Sequence, residues 1–294
     1  MSTTTLDAPA GRKPSPGVTV KKVSFGRLLR SEWIKLWSLR STWWTLGSTV
    51  VVLVGTALMI AAAAVFVAGQ DADGGGGEAG QLFPASMVVT VGYQFGALVV
   101  AVLGSMVITG EYSTGMIRST FTVAPHRLGA YTAKATVLAA VTAVLVAVAV
   151  GLSWLTTYPL LKPHGITVDW SDADQLRPLY GVVLYVVLVA LFAIGIGTLI
   201  RHTAGAIFTM VAVFLVIPLP FGIASQFPGA PAWVVEINKF LPSVAGSAIT
   251  GSGGDSVAAG GPEILEPWVG MGVLAAYTAA LLIAGGISLK TRDA

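Results

Sequence analysis

Six stretches of the sequence contain no Asp, Glu, Lys or Arg, and they constrain the fold more than any other feature. They cover residues 41–70, 79–110, 135–161, 178–200, 202–235 and 267–289. The chain has 17 basic and 14 acidic residues in 294 positions, so uncharged runs this long require a physical cause. A helix needs about 20 mostly apolar residues to cross the roughly 30 Å hydrocarbon core of a bilayer. The runs lack the polar alternation of barrel strands, so they predict an all-α integral membrane protein with six transmembrane helices.

The distribution of basic residues predicts how the chain is threaded. Lys and Arg in the short loops beside transmembrane helices stay in the cytoplasm. Fourteen of the 17 lie before the first run, between the second and third, between the fourth and fifth, or after the sixth, whereas the other three connections hold ten of the fourteen acidic residues. We therefore expect both termini to be cytoplasmic, in a multi-pass protein of the plasma membrane. The excess of basic residues is explained by this topology, so we expect no nucleic-acid-binding surface.

The segment before the first run divides into two predicted regions. Residues 1–22 mix Pro, Gly, Thr and charge without an apolar block, so we expect a disordered cytoplasmic tail. Residues 23–40 predict an amphipathic helix in the membrane interface, and residues 41–294 form the six-helix transmembrane domain. The apolar residues placed near one stripe of the amphipathic helix are Phe25, Leu28, Leu29, Ile34, Leu36 and Trp37. The expected interfacial anchors are Trp33, Trp37, Trp43 and Trp44, and the alternative is a short soluble helix packed on a partner.

The sequence contains few of the residues and motifs that catalysis, cofactor binding or metal binding requires. It has no cysteine, its three histidines lie apart and outside the predicted spans, and no P-loop, H-E-x-x-H or G-x-S-x-G pattern occurs. We therefore expect no catalytic residue, no cofactor and no metal site in this chain. A metal site at His164 with Asp169, Asp172 and Asp174 is disfavoured because the spacing fits no ligand pattern. Ion-coupled transport is also disfavoured, because no ionisable residue lies within the uncharged runs.

The connection between the second and third runs is the most informative loop. It reads TGEYSTGMIRSTFTVAPHRLGAYTAKA, far longer than the RHTAG turn between the fourth and fifth runs. Residues 113–121 predict two turns of helix, with Ser113 or Thr114 as the N-cap and Pro125 ending it. Met116, Ile117 and Phe121 would then form a small apolar face suited to docking, although a solvated connector is the alternative.

Small residues in the second run suggest a close helix contact. Gly92 and Gly96 lie one turn apart, with Gly104 two turns further on. The alternative is that these are ordinary small residues in a chain that contains 35 glycines.

Three segments together resemble a family, the permease subunits of ABC transporters of the type-2 exporter class. RLLRSEWIKLWSLRSTWW resembles the connecting helix that leads into the first span, GEYSTGMIRSTFTVAPHR the cytoplasmic loop, and FLPSVAGSAI the extracellular insertion before the last span. The resemblance implies that the loop from Glu111 to Lys134 contains a coupling helix seated on a separate ATPase subunit, which would bind ATP and Mg. It also implies a second permease subunit, identical or different. The expected docking residues are Glu111, Tyr112, Thr114, Gly115, Met116, Arg118, Phe121, Pro125, His126 and Arg127.

The function expected on this basis is export of a lipophilic or amphipathic compound, with the chain as the non-catalytic membrane subunit. The alternative is a membrane interaction or sensory protein that recruits a regulatory partner through the same loop and transports nothing. An intramembrane enzyme is a third and weaker hypothesis. The residue types in the runs do not identify a substrate; Tyr93, Gln94 and Tyr185 are as well explained as buried polar residues.

Overall fold

The computed structural model describes residues 24–70, 77–116, 127–227, 229–251 and 264–291, and the regular structure within those ranges is helical throughout. The predicted tail at residues 1–22 lies outside them.

Six helical segments are long and apolar enough to cross a membrane, which confirms the number predicted from the uncharged runs. They are called the first to sixth spans and comprise Arg40–Ala68, Ala85–Ser113, Leu128–His164, Ala173–Ile200, Thr203–Ser225 and Pro267–Thr291. The elements that form them are α2 (Arg40–Ala68), α4 (Ala85–Thr90) with α5 (Tyr93–Ser113), α6 (Arg127–Leu161), α7 (Ala173–Ile200), α8 (Thr203–Val211) with α9 (Pro218–Ser225), and α12 (Pro267–Thr291). Four shorter helices lie outside the spans: α1 (Phe25–Ser38), α3 (Gly77–Leu82), α10 (Ala232–Phe240) and α11 (Pro242–Ser247).

Several helices run past the limits of their uncharged runs. The third span was expected at residues 135–155 but covers Leu128–His164, which at 1.5 Å per residue is about 55 Å long. A charged residue ends an apolar run but does not end a helix, because its backbone hydrogen bonds are unaffected. Glu111 and Lys134 therefore belong to the second and third spans rather than to the connection between them.

The fifth span contains a wide helical turn shortly before Pro218. Residues Ala212–Val216 form a π-helix, and the amide of Ile217 donates to the carbonyl of Ala212 at 2.8 Å. Helix α9 then starts at Pro218, which tolerates a first-turn position because it has no N–H to satisfy. The irregularity is thus accommodated within a span that continues to Ser225.

The core of the bundle forms around the fourth span. Tyr185 is only 1% exposed and meets the ring of Tyr93 edge-on at 5.3 Å between centroids. Close packing relies on small residues: a Cβ added to Gly104 would lie 2.7 Å from the carbonyl oxygen of Ala190. The second and fourth spans therefore approach to backbone contact at this level.

The segment between the fifth and sixth spans contains two short helices among its described residues. Helices α10 and α11 are followed by a 3₁₀ turn, Ala248–Thr250. This segment packs tightly on the sixth span, since a Cβ added to Gly270 would overlap the carbonyl oxygen of Ala245.

Candidate functional site

Helix α1 lies against one end of the bundle, called here the α1 end. The amphipathic helix predicted for residues 23–40 is present as Phe25–Ser38, but its inward face differs from the predicted stripe. Ile34 is 56% exposed and Phe25 49% exposed, whereas Leu36 is buried and so is Glu32. Ile34 is wrongly placed because at 100° per residue it lies nearly opposite Leu36 and Leu29 on the helix.

Glu32 is the centre of a four-charge cluster, formed by Glu32, Lys35, Glu111 and Lys134. The ammonium of Lys134 lies 2.6 Å from Oε2 of Glu32 and 2.9 Å from Oε1 of Glu111. The ammonium of Lys35 lies 2.8 Å from Oε1 of Glu32 and 3.0 Å from Oε1 of Glu111. The cluster therefore joins α1 to the end of α5 and the start of α6.

Burial makes this cluster energetically important. The Lys134 side chain is 5% exposed, that of Glu32 7% and that of Glu111 10%, while Lys35 is 31% exposed. A buried charge is tolerated only when it is paired and hydrogen-bonded, and two carboxylates facing two ammonium groups leave no net charge. Burial opposes the charge of Lys35, but its hydrogen bonds to Glu32 and Glu111 outweigh that effect and raise its pKa above the ordinary 10.5.

Glu111 and Lys134 were expected as the limits of the loop, but their pairing with each other and with Glu32 and Lys35 was not predicted. Two features of the sequence are consistent with this pairing. Glu32 occupies the same helical face as Leu28, Leu29 and Leu36, where a carboxylate demands a partner. Glu111 and Lys134 each stand next to an uncharged run, at the two ends of one connection, so opposite charges flank the same loop.

The structure corrects the helix start predicted in the loop. Helix α5 continues to Ser113, and the hydroxyls of Ser113 and Thr114 both donate to the carbonyl of Gly110, at 3.0 and 2.8 Å. These hydroxyls thus serve the end of α5 instead of capping a new helix. Gly115 follows the end of α5 with φ +71°, in the left-handed region. Glycine adopts this conformation without the steric cost that a Cβ would cause.

The other expected docking residues fall into three groups. Met116 is described and is 48% exposed just beyond the end of α5, and Tyr112 is partly buried on its last turn. Arg127 begins α6. Ile117, Arg118, Phe121, Pro125 and His126 lie outside the described residues, so the apolar docking face stays a prediction.

A second set of contacts holds the end of α5 on its other side. The guanidinium of Arg201 stacks over the ring of Tyr112 at 5.2 Å and donates to the carbonyl of Ser288 at 3.3 Å. Thr203 and Thr109 share a hydroxyl hydrogen bond of 2.9 Å. The helix from which the loop emerges is therefore fastened to α1 and α6 on one side and to the fourth, fifth and sixth spans on the other.

A cavity of about 350 Å³ adjoins the four-charge cluster. Side chains from α1, the first span, α5 and α6 line it, and the expected docking residues Glu111, Thr114 and Met116 are among them. Leu103, Met106 and Val107 form an apolar wall, while all four residues of the cluster supply charge and several Ser and Thr residues supply hydroxyls. A cavity with an apolar wall and convergent polar groups suits an amphipathic small molecule.

Three of the four predicted tryptophan anchors are in contact with one another near the α1 end. Trp37 lies 5.6 Å from Trp33 and 4.8 Å from Trp43 between ring centroids. Trp33, Trp43 and Trp44 are exposed, the last by 82%. Exposed indole rings beside an apolar bundle suit a membrane interface, but that placement stays a prediction.

The two glycines predicted at a helix contact both face the first span. A Cβ added to Gly92 would overlap the hydroxyl of Thr56, and one added to Gly96 would lie 3.2 Å from the side chain of Leu53. Gly92 also occupies the break between α4 and α5.

Among the described residues, no group of three or more His, Asp or Glu side chains is arranged to hold a metal ion. Comparison of the sequence with protein-family models and with curated proteins found no match. The fold is therefore that of a helical protein with six segments long and apolar enough to span a membrane.

Proposed function

We propose that this chain is the membrane-spanning, non-catalytic subunit of an ATP-driven exporter of a lipophilic or amphipathic compound. A separate ATPase subunit would dock on the loop between Glu111 and Lys134, and a second permease subunit would complete the membrane part. In this proposal both termini and the α1 end face the cytoplasm, and α1 lies in the interface of the plasma membrane.

The observation that carries the proposal is the mechanical anchoring of that loop. The helices on either side of the loop meet in one buried ion cluster through Glu111, on the last turn of α5, and Lys134, about two turns into α6. The cluster also holds α1 through Glu32 and Lys35. A force applied to the loop would therefore act on α1, the second span and the third span together. The uncharged runs lack the ionisable groups with which an ion gradient is usually coupled, so energy from an external ATPase is the simpler source.

Such coupling has a thermodynamic requirement. The nucleotide state of the ATPase can shift the bundle between two arrangements only if it binds one of them better. Helix α5 contacts α1 and α6 on one side and Arg201 on the other. A tilt of α5 would therefore weaken one of these two sets of contacts and strengthen the other.

The test begins with Met116, which is exposed and carries no charge. Met116→Asp places a charge on the proposed docking face, so recovery of an ATPase with a G-x-x-x-x-G-K-[ST] motif during purification from native membranes should fall at least tenfold. Met116→Leu should retain the ATPase. Ser171→Asp, on an exposed turn between the third and fourth spans, is the matched charge control and should also retain it.

Transport is measured separately from docking. Liposomes with the wild-type assembly should accumulate or release a lipophilic test compound only with ATP, and compound should stimulate ATP hydrolysis. Recovery of a partner without any ATPase activity would favour the interaction or sensory alternative. Full ATPase recovery with Met116→Asp would refute docking at this position.

A further inference from the structure

The cavity beside the four-charge cluster contains a buried hydroxyl without a partner. Thr42, at the start of the first span, is 1% exposed and lines the cavity, and its Oγ1 has no hydrogen-bond partner in the described structure. Thr49, two turns further along the same helix and equally buried, instead donates to the carbonyl of Thr45 at 2.8 Å. A buried polar group left unpaired costs about 1–3 kcal/mol, so Thr42 favours a ligand that supplies the missing bond.

Two members of the charged cluster that line the cavity have unused hydrogen-bonding capacity. Oε1 of Glu111 accepts from both lysines, whereas no described donor is bonded to Oε2. The ammonium of Lys35 uses two of its three protons, on Glu32 and Glu111, and it is the most exposed member of the cluster. These two lining residues therefore retain one carboxylate oxygen as an acceptor and one ammonium proton as a donor.

The charge balance selects the type of head group. The cluster has two positive and two negative side chains, and three of the four are at most 10% exposed. A purely cationic or anionic head would leave excess charge in this poorly solvated position, whereas a zwitterionic head would not. The apolar wall of Leu103, Met106 and Val107 suits the hydrophobic body of the same ligand.

We propose that this cavity binds a zwitterionic amphiphile whose head carries a primary ammonium beside an anionic group. The ammonium donates to Oε2 of Glu111, the anionic group accepts from Lys35, and a polar atom of the head pairs with Thr42. An aminophospholipid and a soluble amphipathic compound with the same head share this chemistry. The inference concerns binding alone and holds whether or not the chain transports the ligand.

The test uses the full-length chain in a mild detergent and three short-chain lipids with identical dihexanoyl tails. These are the phosphatidylethanolamine, the phosphatidylcholine, whose ammonium has no N–H, and the phosphatidic acid, which has no ammonium. Calorimetric titration should show the phosphatidylethanolamine binding at least tenfold more tightly than the other two. Equal affinity for all three would overturn the assignment of the head group.

Two pairs of variants locate the site. A Cβ on Gly110 meets nothing within 4 Å although Gly110 lines the cavity, so Gly110→Leu should fill it without a clash and lower the affinity at least tenfold. Gly151→Leu, equally unobstructed but outside the cavity, is the control and should bind normally. Thr42→Val should weaken binding about two- to tenfold, the range expected for one hydrogen bond, and Thr49→Val should not.

Native mass spectrometry distinguishes the two sources of ligand. Long-chain phosphatidylethanolamine retained by the wild type and lost from Gly110→Leu assigns a bilayer lipid. Short-chain binding without any retained lipid assigns a soluble compound of the same chemistry. Unchanged short-chain affinity in Gly110→Leu would overturn the site itself, and this result is independent of ATPase recovery and of transport.

Discussion

Lys134→Met is the perturbation that most directly tests the four-charge cluster. Methionine keeps most of the side-chain length while removing the ammonium, so Glu32 loses its 2.6 Å partner and Glu111 its 2.9 Å partner. Breaking a buried ion pair by removing one partner costs about 3–5 kcal/mol, because an uncompensated charge remains. Lys35 still contacts both carboxylates, so we expect a loss at the lower end, about 3 kcal/mol.

The assay is unfolding by SDS titration from mixed micelles, followed by circular dichroism. The free energy of unfolding is obtained from the transition by linear extrapolation. The control is Glu236→Gln, which removes a pair between Glu236 and Lys239 in which the carboxylate side chain is 61% exposed and the Lys239 side chain 12% exposed. Water screens the carboxylate of this pair, so we expect Glu236→Gln to lose clearly less stability than Lys134→Met.

A double variant separates charge imbalance from lost packing. Adding Glu32→Gln to Lys134→Met restores neutrality, because Glu111 and Lys35 remain as one pair at 3.0 Å. The two changes should therefore cost at least about 1 kcal/mol less together than the sum of their separate costs. Strict additivity, or a loss with Lys134→Met no larger than that of the control, would refute the reasoning.

Two further predictions use the same titration. Gly104→Ala should lose about 1–3 kcal/mol, because its Cβ would lie 2.7 Å from a backbone oxygen of the fourth span; Gly151→Ala, with open space at the same point, should lose nothing, and equal effects would contradict the packing argument. Because the folded pKa of Lys35 is raised, its contribution to stability is complete below the ordinary value of 10.5 and disappears as pH rises through the folded value. Stability of the wild type between pH 9 and 12 should thus fall more steeply than that of Lys35→Met, and parallel curves would exclude this contribution.

The parts of the fold that could be predicted depend on local sequence. Six uncharged runs are sufficient to predict six spans, because the apolar length of a single helix decides whether it can cross a bilayer. The short helix before the first span and the tight turn after Ile200 were predicted on equally local grounds. The errors arose at boundaries: Ser113 and Thr114 looked like N-caps, but their hydroxyls bond backward to Gly110.

The candidate site was only partly predictable. Glu111, Lys134 and the loop between them were identified from position and resemblance, while the contact of Lys134 with Glu32, 102 positions away, was not predicted. Pairing between distant helices depends on how the bundle packs, and a single sequence contains no direct record of that packing. The unpaired hydroxyl of Thr42 could not be predicted either. Threonines in helices usually donate to a carbonyl of the same helix, as Thr49 does.

The sequence by itself therefore determined the number of apolar helices and the uncharged residues at their centres, because both follow from the cost of placing charge and unpaired backbone groups in hydrocarbon. Only the tertiary structure decided that four charges from α1, α5 and α6 neutralise one another beside a cavity. The reason is physical: a buried charge is acceptable only at a position where opposite charges converge, and convergence is a property of the packed bundle rather than of any one helix.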